Sequence, residues 1–289
     1  LECLQKERIK TNVIMVSTMT TRDADVTILA MERGAVDFVT KPTNIIEAKG
    51  DAFRKEILGI LNAVLKTERI SLTERRPAVA AVSAVQKRNA SAETRFKNKI
   101  VALACSTGGP KALQSVIPYL PANLDAPMVL VQHMPAGFTN SMANRLDEIS
   151  KINVKEAENG EILKKGTVYI APGGKHMEVK KCPDGSHKIV YNDMPPIGGL
   201  KPCANITYDS LRTCGYDQVV CVVLTGMGAD GTNGILELSK VKPIYTIAQD
   251  AQTCVVYGMP KAIAETGLVN EVVPLTEVAN SITKNVGVN

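Results

Sequence analysis

The chain carries a serine in a context that could make it a nucleophile. The segment 105–110 reads Cys-Ser-Thr-Gly-Gly-Pro and follows the apolar run 100–104, which predicts a strand that turns directly into a helix. Such a turn exposes Ser106 at a helix N-terminus, where backbone N–H groups favour developing negative charge. Its surroundings are close to the nucleophile elbow G-x-S-x-G. Capping of the helix by Ser106 or Thr107 is the alternative role, and Cys105 is a competing nucleophile.

One residue is the candidate for the general base that such a serine needs. Imidazole is the side chain that ordinarily titrates near neutral pH, and the sequence contains three histidines. His176 and His187 lie at a predicted β-hairpin, in which 177–180 and 188–191 flank a Pro-Asp-Gly turn. His133 alone ends an apolar core run, so it is the candidate base. The alternative is a strand-end histidine satisfied by backbone groups.

A carboxylate follows a third apolar run, 219–224, within the glycine-rich segment 225–231. There Asp230 could orient a histidine and stabilise the imidazolium, or it could only cap the next helix. Ligands of open α/β sheets bind outside the carboxyl ends of the strands, so Ser106, His133 and Asp230 are predicted to meet at one sheet edge. Their order along the chain differs from that of the α/β-hydrolases, which indicates a different fold with the same chemistry.

The glycine-rich segment also supports a rival interpretation, a dinucleotide-binding oxidoreductase. Residues 226–231 form a literal G-x-G-x-x-G after a strand and before a helix. Asp250 lies at the end of the next apolar run, where a ribose-binding acid would be found. Against this interpretation, the motif falls late in its domain and leaves Ser106 and His133 unexplained.

Composition excludes several other classes of protein. Of the 289 residues, 45% are hydrophobic and 22% are charged, which is typical of a soluble globular chain with two domains. No apolar stretch reaches the roughly eighteen residues that span a bilayer, and no secretory signal is present, so we expect a cytoplasmic protein without membrane insertion. The seven cysteines form no C-x-x-C motif, which argues against a disulfide framework and a metal site. Trp is absent and Phe and Tyr are few, so no nucleic-acid partner is expected.

The distribution of charge divides the chain. Nine Lys or Arg and three Glu lie between Lys66 and Lys99, so this stretch has a surplus of +6, and the rest of the chain carries −1 of the net charge of +5. Its Ala, Ser and charged residues are typical of an interdomain linker rather than of an arm that binds nucleic acid. We therefore predict a linker over 67–97, between an N-terminal unit at 1–66 and a C-terminal domain at 98–289.

Hydrophobic patterning predicts the elements on both sides of the linker. The N-terminal unit is predicted to be helix, strand, helix, strand, helix, which is half of a doubly wound sheet. The C-terminal domain alternates helix-like segments with runs apolar on both faces, as parallel strands covered on both sides would be. These runs are 100–104, 127–131, 167–170, 219–224, 244–248 and 271–273. The predicted fold class is α/β, with a three-layer, doubly wound, mainly parallel sheet.

Several segments, in the right order, resemble one family, the protein-glutamate methylesterases of bacterial chemotaxis, or CheB family. They are ACSTGGP (104–110), VLVQHMPAGFT (129–139), VYIAPGGKHMEV (168–179), VVLTGMGADG (222–231) and TIAQDAQTCVVYGMPKAI (246–263). Upstream, 13–17 and 38–42 resemble the second half of the flavodoxin-like receiver domain that members of the family carry.

The resemblance implies hydrolysis of γ-glutamyl methyl esters on the cytoplasmic domains of methylated chemoreceptors, with release of methanol, and deamidation of receptor glutamines. Ser106 would be the nucleophile, His133 the general base and acid, and Asp230 the residue that orients it. Backbone N–H groups of His133 and Met227 would hold the oxyanion, and Thr107 would support the site. No cofactor or metal is implied. A non-catalytic module that binds a receptor tail is a third alternative.

The sequence departs from the family pattern in the predicted substrate groove. Where the family usually carries an Asn, a His and an Arg, this chain has Gly198, Leu200 and Lys201. Receptor recognition is therefore expected to differ more than ester chemistry.

The receiver half departs further. Ser17 and Lys41 match receiver residues that contact a phosphoryl group, and Phe38 matches the aromatic switch position. The chain begins after the acidic pair and the phospho-accepting aspartate, through which a chemotaxis histidine kinase would act on an intact receiver. We therefore expect no activation at that aspartate, an unpaired sheet edge, and a catalytic site that stays accessible.

Overall fold

The computed structural model describes residues 1–9, 11–18, 20–42, 50–73 and 96–289. Its N-terminal unit alternates helix and strand as predicted: α1 Glu2–Lys6, β1 Ile14–Ser17, α2 Thr21–Glu32, β2 Asp37–Thr40 and α3 Asp51–Thr73. The two strands pair in parallel, from Ile14 with Asp37 to Ser17 with Thr40. They form a two-stranded sheet within the described ranges, so each strand has one unpaired side.

Local signals set the ends of α2. Thr20 caps its start, because the Thr20 hydroxyl accepts a hydrogen bond from the backbone N–H of Asp23 at 3.2 Å. Gly34 follows its end with φ of +102°, a conformation that glycine adopts without steric cost. The backbone N–H of Gly34 then donates to the carbonyl of Met31 at 3.1 Å.

Strands of the C-terminal domain form one central sheet and a separate hairpin. In chain order they are β3 Lys99–Cys105, β4 Met128–Gln132, β5 Asn153–Glu156, β6 Thr167–Ile170, β7 His176–Lys181, β8 His187–Asn192, β9 Gln218–Val223, β10 Ile244–Gln249 and β11 Glu271–Val273. Seven of them pair in parallel in the order β11-β10-β9-β3-β4-β6-β5. The antiparallel pair β7 and β8 confirms the predicted hairpin.

Helices cover both faces of the central sheet. They are α4 Gly109–Gln114, α5 Phe138–Ile149, α6 Ala204–Ser210, α7 Thr232–Ser239, α8 Met259–Ala264 and α9 Val278–Val286. One apolar core includes residues of α4, α5 and α9, and the other includes residues of α6, α7 and α8. All seven residues of β3 are buried, as expected for a strand covered on both faces. The three-layer, doubly wound fold class is confirmed.

The N-terminal unit shares a core with the C-terminal domain. Ile28 and Met31 of α2 are buried in the same apolar cluster as Phe138 and Leu146 of α5. At the edge of this contact, the Arg145 guanidinium donates two hydrogen bonds of 2.9 Å to the carboxylate of Glu32. A planar guanidinium matches a carboxylate in this bidentate arrangement. The two parts are therefore packed as one body along α2.

The boundary between the two parts differs from the prediction. Helix α3 continues to Thr73, so it includes the first seven residues of the segment predicted as the linker 67–97. Most of that segment, 74–95, lies outside the described residues. None of the helices in the described ranges is long and apolar enough to cross a membrane.

Candidate active site

The carboxyl ends of three neighbouring strands bring the candidate residues to one edge of the central sheet. In the register, Cys105 at the end of β3 is level with Gln132 at the end of β4. On the other side, Ala104 of β3 is level with Val223 of β9. The loops that follow β3, β4 and β9 therefore start side by side, as the sequence predicted.

The loop after β3 turns sharply and presents Ser106. The backbone N–H of Ser106 donates to the carbonyl of Thr225 at 3.0 Å, and its carbonyl accepts from the N–H of Gly109 at 2.6 Å. Gly108 adopts φ of +77°, and a Cβ there would lie 2.5 Å from the Cβ of Val255. Only glycine meets both conditions, so the strand passes into α4 within a few residues. The Ser106 side chain is left partly exposed.

The imidazole and the carboxylate form a close pair. His133 Nε2 lies 2.8 Å from Asp230 Oδ2, and the two side chains are only 9% and 5% exposed. Because Nε2 is engaged by the carboxylate, Nδ1 is the ring nitrogen that remains for a substrate or a nucleophile. The expected contact between these residues is therefore present.

Further hydrogen bonds hold the carboxylate in place. Asp230 also accepts from the backbone N–H groups of Ala204 at 2.6 Å, Asn205 at 3.1 Å and Gly231 at 2.9 Å, and from the Cys203 thiol at 3.2 Å. Burial alone would raise its pKa, but the hydrogen bond and charge of His133, together with the other donors, hold the pKa of Asp230 at about 2. Asp230 is thus an anion, and it also caps the start of α6.

A cavity of about 200 Å³ connects the nucleophile candidate with the base candidate. On the side of the C-terminal domain it is lined by Ser106, Thr107, His133, Pro135 and Met227. No hydrogen bond joins the Ser106 hydroxyl to the His133 ring in the part of the chain that the structure describes. The catalytic hydrogen bonds of an unliganded site are often long and tighten only with substrate.

The opposite wall of the cavity belongs to the N-terminal unit. It is formed by Asp37, Phe38, Thr40, Lys55, Glu56, Gly59 and Ile60 of β2 and α3. The Met227 methyl group lies 3.8 Å from the point where a Cβ on Gly59 would stand, so α3 runs directly over the candidate oxyanion loop. The expectation of an accessible site is therefore wrong for this conformation. The elements β2 and α3, which pack on this edge of the central sheet, are present in the chain and cover the cavity.

One buried acid lies at this contact. Burial raises the pKa of Asp37 to about 7, although hydrogen bonds from the Phe38 backbone N–H and the Thr107 side chain oppose the shift. The nearby charge of Glu56 raises it further. Thr107, predicted as a supporting residue of the site, thus contacts the N-terminal unit.

Sequence reasoning missed Gln132, which joins two of the loops. Its side-chain amide donates to the carbonyls of Ser106 and His133, each at 3.1 Å, and its oxygen accepts from the Cys105 thiol at 3.0 Å. The available signal was a single polar residue at the end of an otherwise apolar strand. The Cys105 thiol is buried, and burial raises its pKa, so Cys105 does not compete as a nucleophile.

The backbone N–H groups that are free to donate differ in part from the pair expected to hold an oxyanion. The backbone N–H of His133 donates to the Cys105 carbonyl at 3.3 Å, so it is not a free donor here. In the described part of the chain, the backbone N–H groups of Thr107 and Met227 have no hydrogen-bond acceptor. The N–H after a nucleophile serves this purpose in serine hydrolases with an elbow.

The predicted receiver residues lie on or directly after the two strands of the N-terminal unit, and of these Phe38 also lines the cavity with Ser106. Ser17 and Lys41 lie at the carboxyl ends of β1 and β2, where the Lys41 backbone N–H donates to the Ser17 carbonyl at 2.6 Å. Phe38 is buried in the contact with α5. His187 stacks on Tyr216 with ring centroids 4.1 Å apart. Its role is therefore structural.

In the predicted substrate groove, Lys201 turns back on its own loop. Its ammonium group donates to the carbonyls of Asp193 at 3.3 Å and Met194 at 2.7 Å. Gly198 and Gly199 form the tip of this loop with φ of +59° and +84°.

The glycine motif at 226–231 packs against the serine loop. A Cβ on Gly226 would lie 2.9 Å from the Cβ of Ser106, and the Gly226 N–H already donates to the Val256 carbonyl at 3.0 Å. Asp250 accepts hydrogen bonds from Thr253 in a local turn. These contacts use the groups that a bound dinucleotide would need. Across the described ranges, no cluster of His, Cys, Asp or Glu could hold a metal ion.

Comparison with known proteins identifies the family. The family model described as CheB methylesterase matches residues 101–282. The chain belongs to the CheB methylesterase family. A solved structure of the Thermotoga maritima CheB methylesterase catalytic domain is 42% identical, with a TM-score of 0.61, and the match covers 64% of this chain and 97% of that domain.

Curated relatives extend the match into the N-terminal unit. A protein of Symbiobacterium thermophilum is 40% identical over 288 residues, which covers 96% of this chain and 77% of the relative. One of Pyrococcus horikoshii is 43% identical over 274 residues, which covers 95% of this chain and 73% of the relative. Both are named protein-glutamate methylesterase/protein-glutamine glutaminase.

Proposed function

We propose that the chain is a protein-glutamate methylesterase that also deamidates protein glutamines. Its substrates would be γ-glutamyl methyl esters and glutamines on the cytoplasmic domains of chemoreceptors, and its role would be adaptation in chemotaxis. The observation that carries this proposal is the buried pair of His133 and Asp230, in which His133 lines one cavity with Ser106. A nucleophile, a base and an orienting carboxylate are the parts that acyl transfer requires.

In the proposed reaction, the Ser106 hydroxyl attacks the ester carbonyl while His133 Nδ1 accepts its proton. The backbone N–H groups of Met227 and Thr107 stabilise the oxyanion of the tetrahedral intermediate. Asp230 stabilises the imidazolium, which then protonates the departing methoxide to give methanol. The ester bond breaks, and the glutamyl group remains on Ser106.

Water completes the cycle. His133 takes a proton from water, which attacks the glutamyl ester, and the released glutamate carboxyl leaves Ser106 with its proton restored by the imidazolium. With a glutamine substrate, the first leaving group is ammonia instead of methanol. The proposed steps use side chains and backbone groups of this chain together with water, so the mechanism invokes no cofactor or metal.

Access to the site would depend on the N-terminal unit. A receptor side chain can reach Ser106 only if α3 and β2 move, because Glu56, Gly59 and Phe38 line the same cavity as Ser106. We infer that this unit is inhibitory in the conformation described. A phosphorylated, complete receiver would be the means by which a chemotaxis histidine kinase moves it. All of these partners would meet the enzyme in the cytoplasm.

The decisive experiment measures methanol released from a receptor fragment carrying methylated glutamates. The wild-type chain should release methanol. In Ser106→Ala the rate of release should fall by at least about a thousandfold, whereas Cys105→Ala should retain most of the wild-type rate. Circular dichroism would confirm that each variant is folded. Undiminished release by folded Ser106→Ala would refute the proposed nucleophile, and binding of the fragment without release would favour a non-catalytic module.

A further inference from the structure

A buried thiol lies directly against the carboxylate of the triad. Cys203 is 1% exposed, and its Sγ lies 3.2 Å from Asp230 Oδ1, the oxygen that His133 does not contact. Among the described residues that hydrogen-bond to the Asp230 carboxylate, Cys203 and His133 do so through a side chain. The remaining donors are backbone N–H groups, and a side-chain substitution leaves these donors in place.

The position of Cys203 is itself fixed by a second buried histidine. The Cys203 backbone N–H donates to His176 Nδ1 at 3.2 Å. The other ring nitrogen of His176 therefore carries the proton, and it lies 3.2 Å from the carbonyl of Pro195. Pro195 begins the loop that contains the glycines at 198 and 199 and ends at Cys203. One hydrogen-bonded chain thus runs from the predicted substrate groove through Cys203 to Asp230.

The chemical state of the thiol makes it a donor. Burial, with the charge and hydrogen bond of Asp230, raises the pKa of Cys203 to about 12, so the group is S–H at neutral pH. A hydrogen bond to one oxygen of the carboxylate reduces the negative charge with which the carboxylate stabilises the imidazolium. Tyr208 is a further titratable group near Asp230, and its hydroxyl donates to backbone carbonyls of β3 and β9.

We propose that Cys203 is a positioning residue of this active site, whose S–H donates to Asp230 and thereby limits how strongly Asp230 stabilises the His133 imidazolium. The inference rests on the proposed esterase function for its catalytic meaning. Loss of the thiol should leave a more basic carboxylate, so His133 should keep its proton to higher pH. A base that stays protonated is unavailable to Ser106, and activity on the acid side should fall.

The test follows the titration of the imidazole in the full chain by NMR. With three histidines in the sequence, the His133 signal can be assigned by its loss in His133→Gln. Cys203→Ala should move the titration midpoint upward by about 0.5 pH unit, a threefold change in the protonation equilibrium, which is modest because a thiol is a weak donor. Cys203→Ser, with a stronger donor, should hold the midpoint at or below the wild-type value. The acid limb of methanol release should shift in the same directions.

Two controls separate positioning from packing. Cys214→Ala removes another buried thiol, which lies near the carbonyls of Val179 and Ser210 and does not contact Asp230, and it should leave the midpoint unchanged. In an Asp230→Asn background, Cys203→Ala should no longer change the titration midpoint of the imidazole.

Two results would overturn the proposal: a wild-type midpoint in folded Cys203→Ala, or an upward shift in Cys203→Ser, which tests the idea even if the alanine variant fails to fold. Because the titration needs no substrate, absence of methanol release would count against the esterase function alone.

Discussion

Phe38 stacks on Phe138, with ring centroids 4.5 Å apart and ring planes inclined by 24°. Phe38 belongs to β2 of the N-terminal unit, and Phe138 is the first residue of α5, shortly after the loop that carries His133. Offset aromatic pairs of this kind contribute about 0.5–1.5 kcal/mol beyond the burial of their surface. The contact therefore links the covering unit to the helix that follows His133, the proposed base.

Removal of this contact should activate the enzyme. Phe38→Ala loses the stacking and a buried side chain, so the N-terminal unit should leave the active site more often, and methanol release should rise by about tenfold for a loss of about 1.4 kcal/mol. Val16→Ala, on the neighbouring strand but half exposed, is the matched control and should leave the rate unchanged. Equal rates for Phe38→Ala and the wild type would show that the unit does not restrict access.

The opposite effect is expected at Gly59. An added Cβ would stand 3.8 Å from the Met227 methyl group, an ordinary packing distance, and alanine is favoured over glycine in a helix by about 1 kcal/mol. Gly59→Ala should therefore strengthen the covered state and lower methanol release about fivefold. Asn62→Ala, on an exposed position of the same helix, improves helix propensity without facing the site. A similar loss of rate in Asn62→Ala would mean that helix stability, and not the contact with Met227, is responsible.

Asp37 should make the covered state depend on pH. Its pKa is raised from 3.8 to about 7 when it is buried at the contact, so its neutral form favours that contact. This contribution is fully present below about pH 4, declines as the pH rises, and is lost above about pH 7. Desolvation raises the pKa of Glu56 in the same cavity, which acts in the same direction.

The measurement compares rates of Asp37→Asn and the wild type across this range. The amide imitates the neutral acid and still accepts from the Phe38 N–H, so the rates of the two proteins should converge as the pH falls toward 4. At pH 8 the wild type should be about tenfold faster than Asp37→Asn. Ionisation of Asp37 then favours departure of the N-terminal unit in the wild type, whereas the amide of the variant stays neutral. A ratio that does not change with pH would contradict this role for Asp37.

Gln132 should be required for catalysis more than for folding. Gln132→Met preserves length and apolar volume but removes both N–H donors, leaving the partly buried His133 carbonyl without its partner at a cost of about 1–3 kcal/mol. We expect kcat to fall by about tenfold to a hundredfold, because the serine and histidine loops lose their common tie. Thermal unfolding should show a single transition at a lower temperature. Unchanged kcat in a destabilised variant would make the role of Gln132 purely structural.

The sequence was sufficient to place the main parts of the site. Ser106, His133 and Asp230 each follow an apolar run, and parallel strands bring their carboxyl ends to one edge, so their proximity followed from the strand pattern. The helix and strand order of the N-terminal unit was also predictable, because its apolar residues recur at helical or strand spacing.

Other features depended on side-chain directions that no local pattern encodes. The amide of Gln132 and the thiol of Cys203 act through residues on other elements, Gln132 at Ser106 and Cys203 at Asp230. Likewise, Asp37 looks like an ordinary strand residue until α3 and Thr107 enclose it. Long-range packing decides these contacts, and single-sequence periodicity carries no information about it.

The core that α2 shares with α4 and α5 has a consequence for how the covering unit can leave. Ile28 and Met31 are buried in a cluster that consists mostly of residues of the C-terminal domain, so departure exposes them to water and removes part of what keeps the N-terminal helices folded. Departure is thus coupled to partial melting, a process with a large positive enthalpy near physiological temperatures and above. Moderate warming should therefore activate the enzyme. Below the temperature at which the catalytic domain itself unfolds, turnover should rise more steeply with temperature than the chemical step alone would.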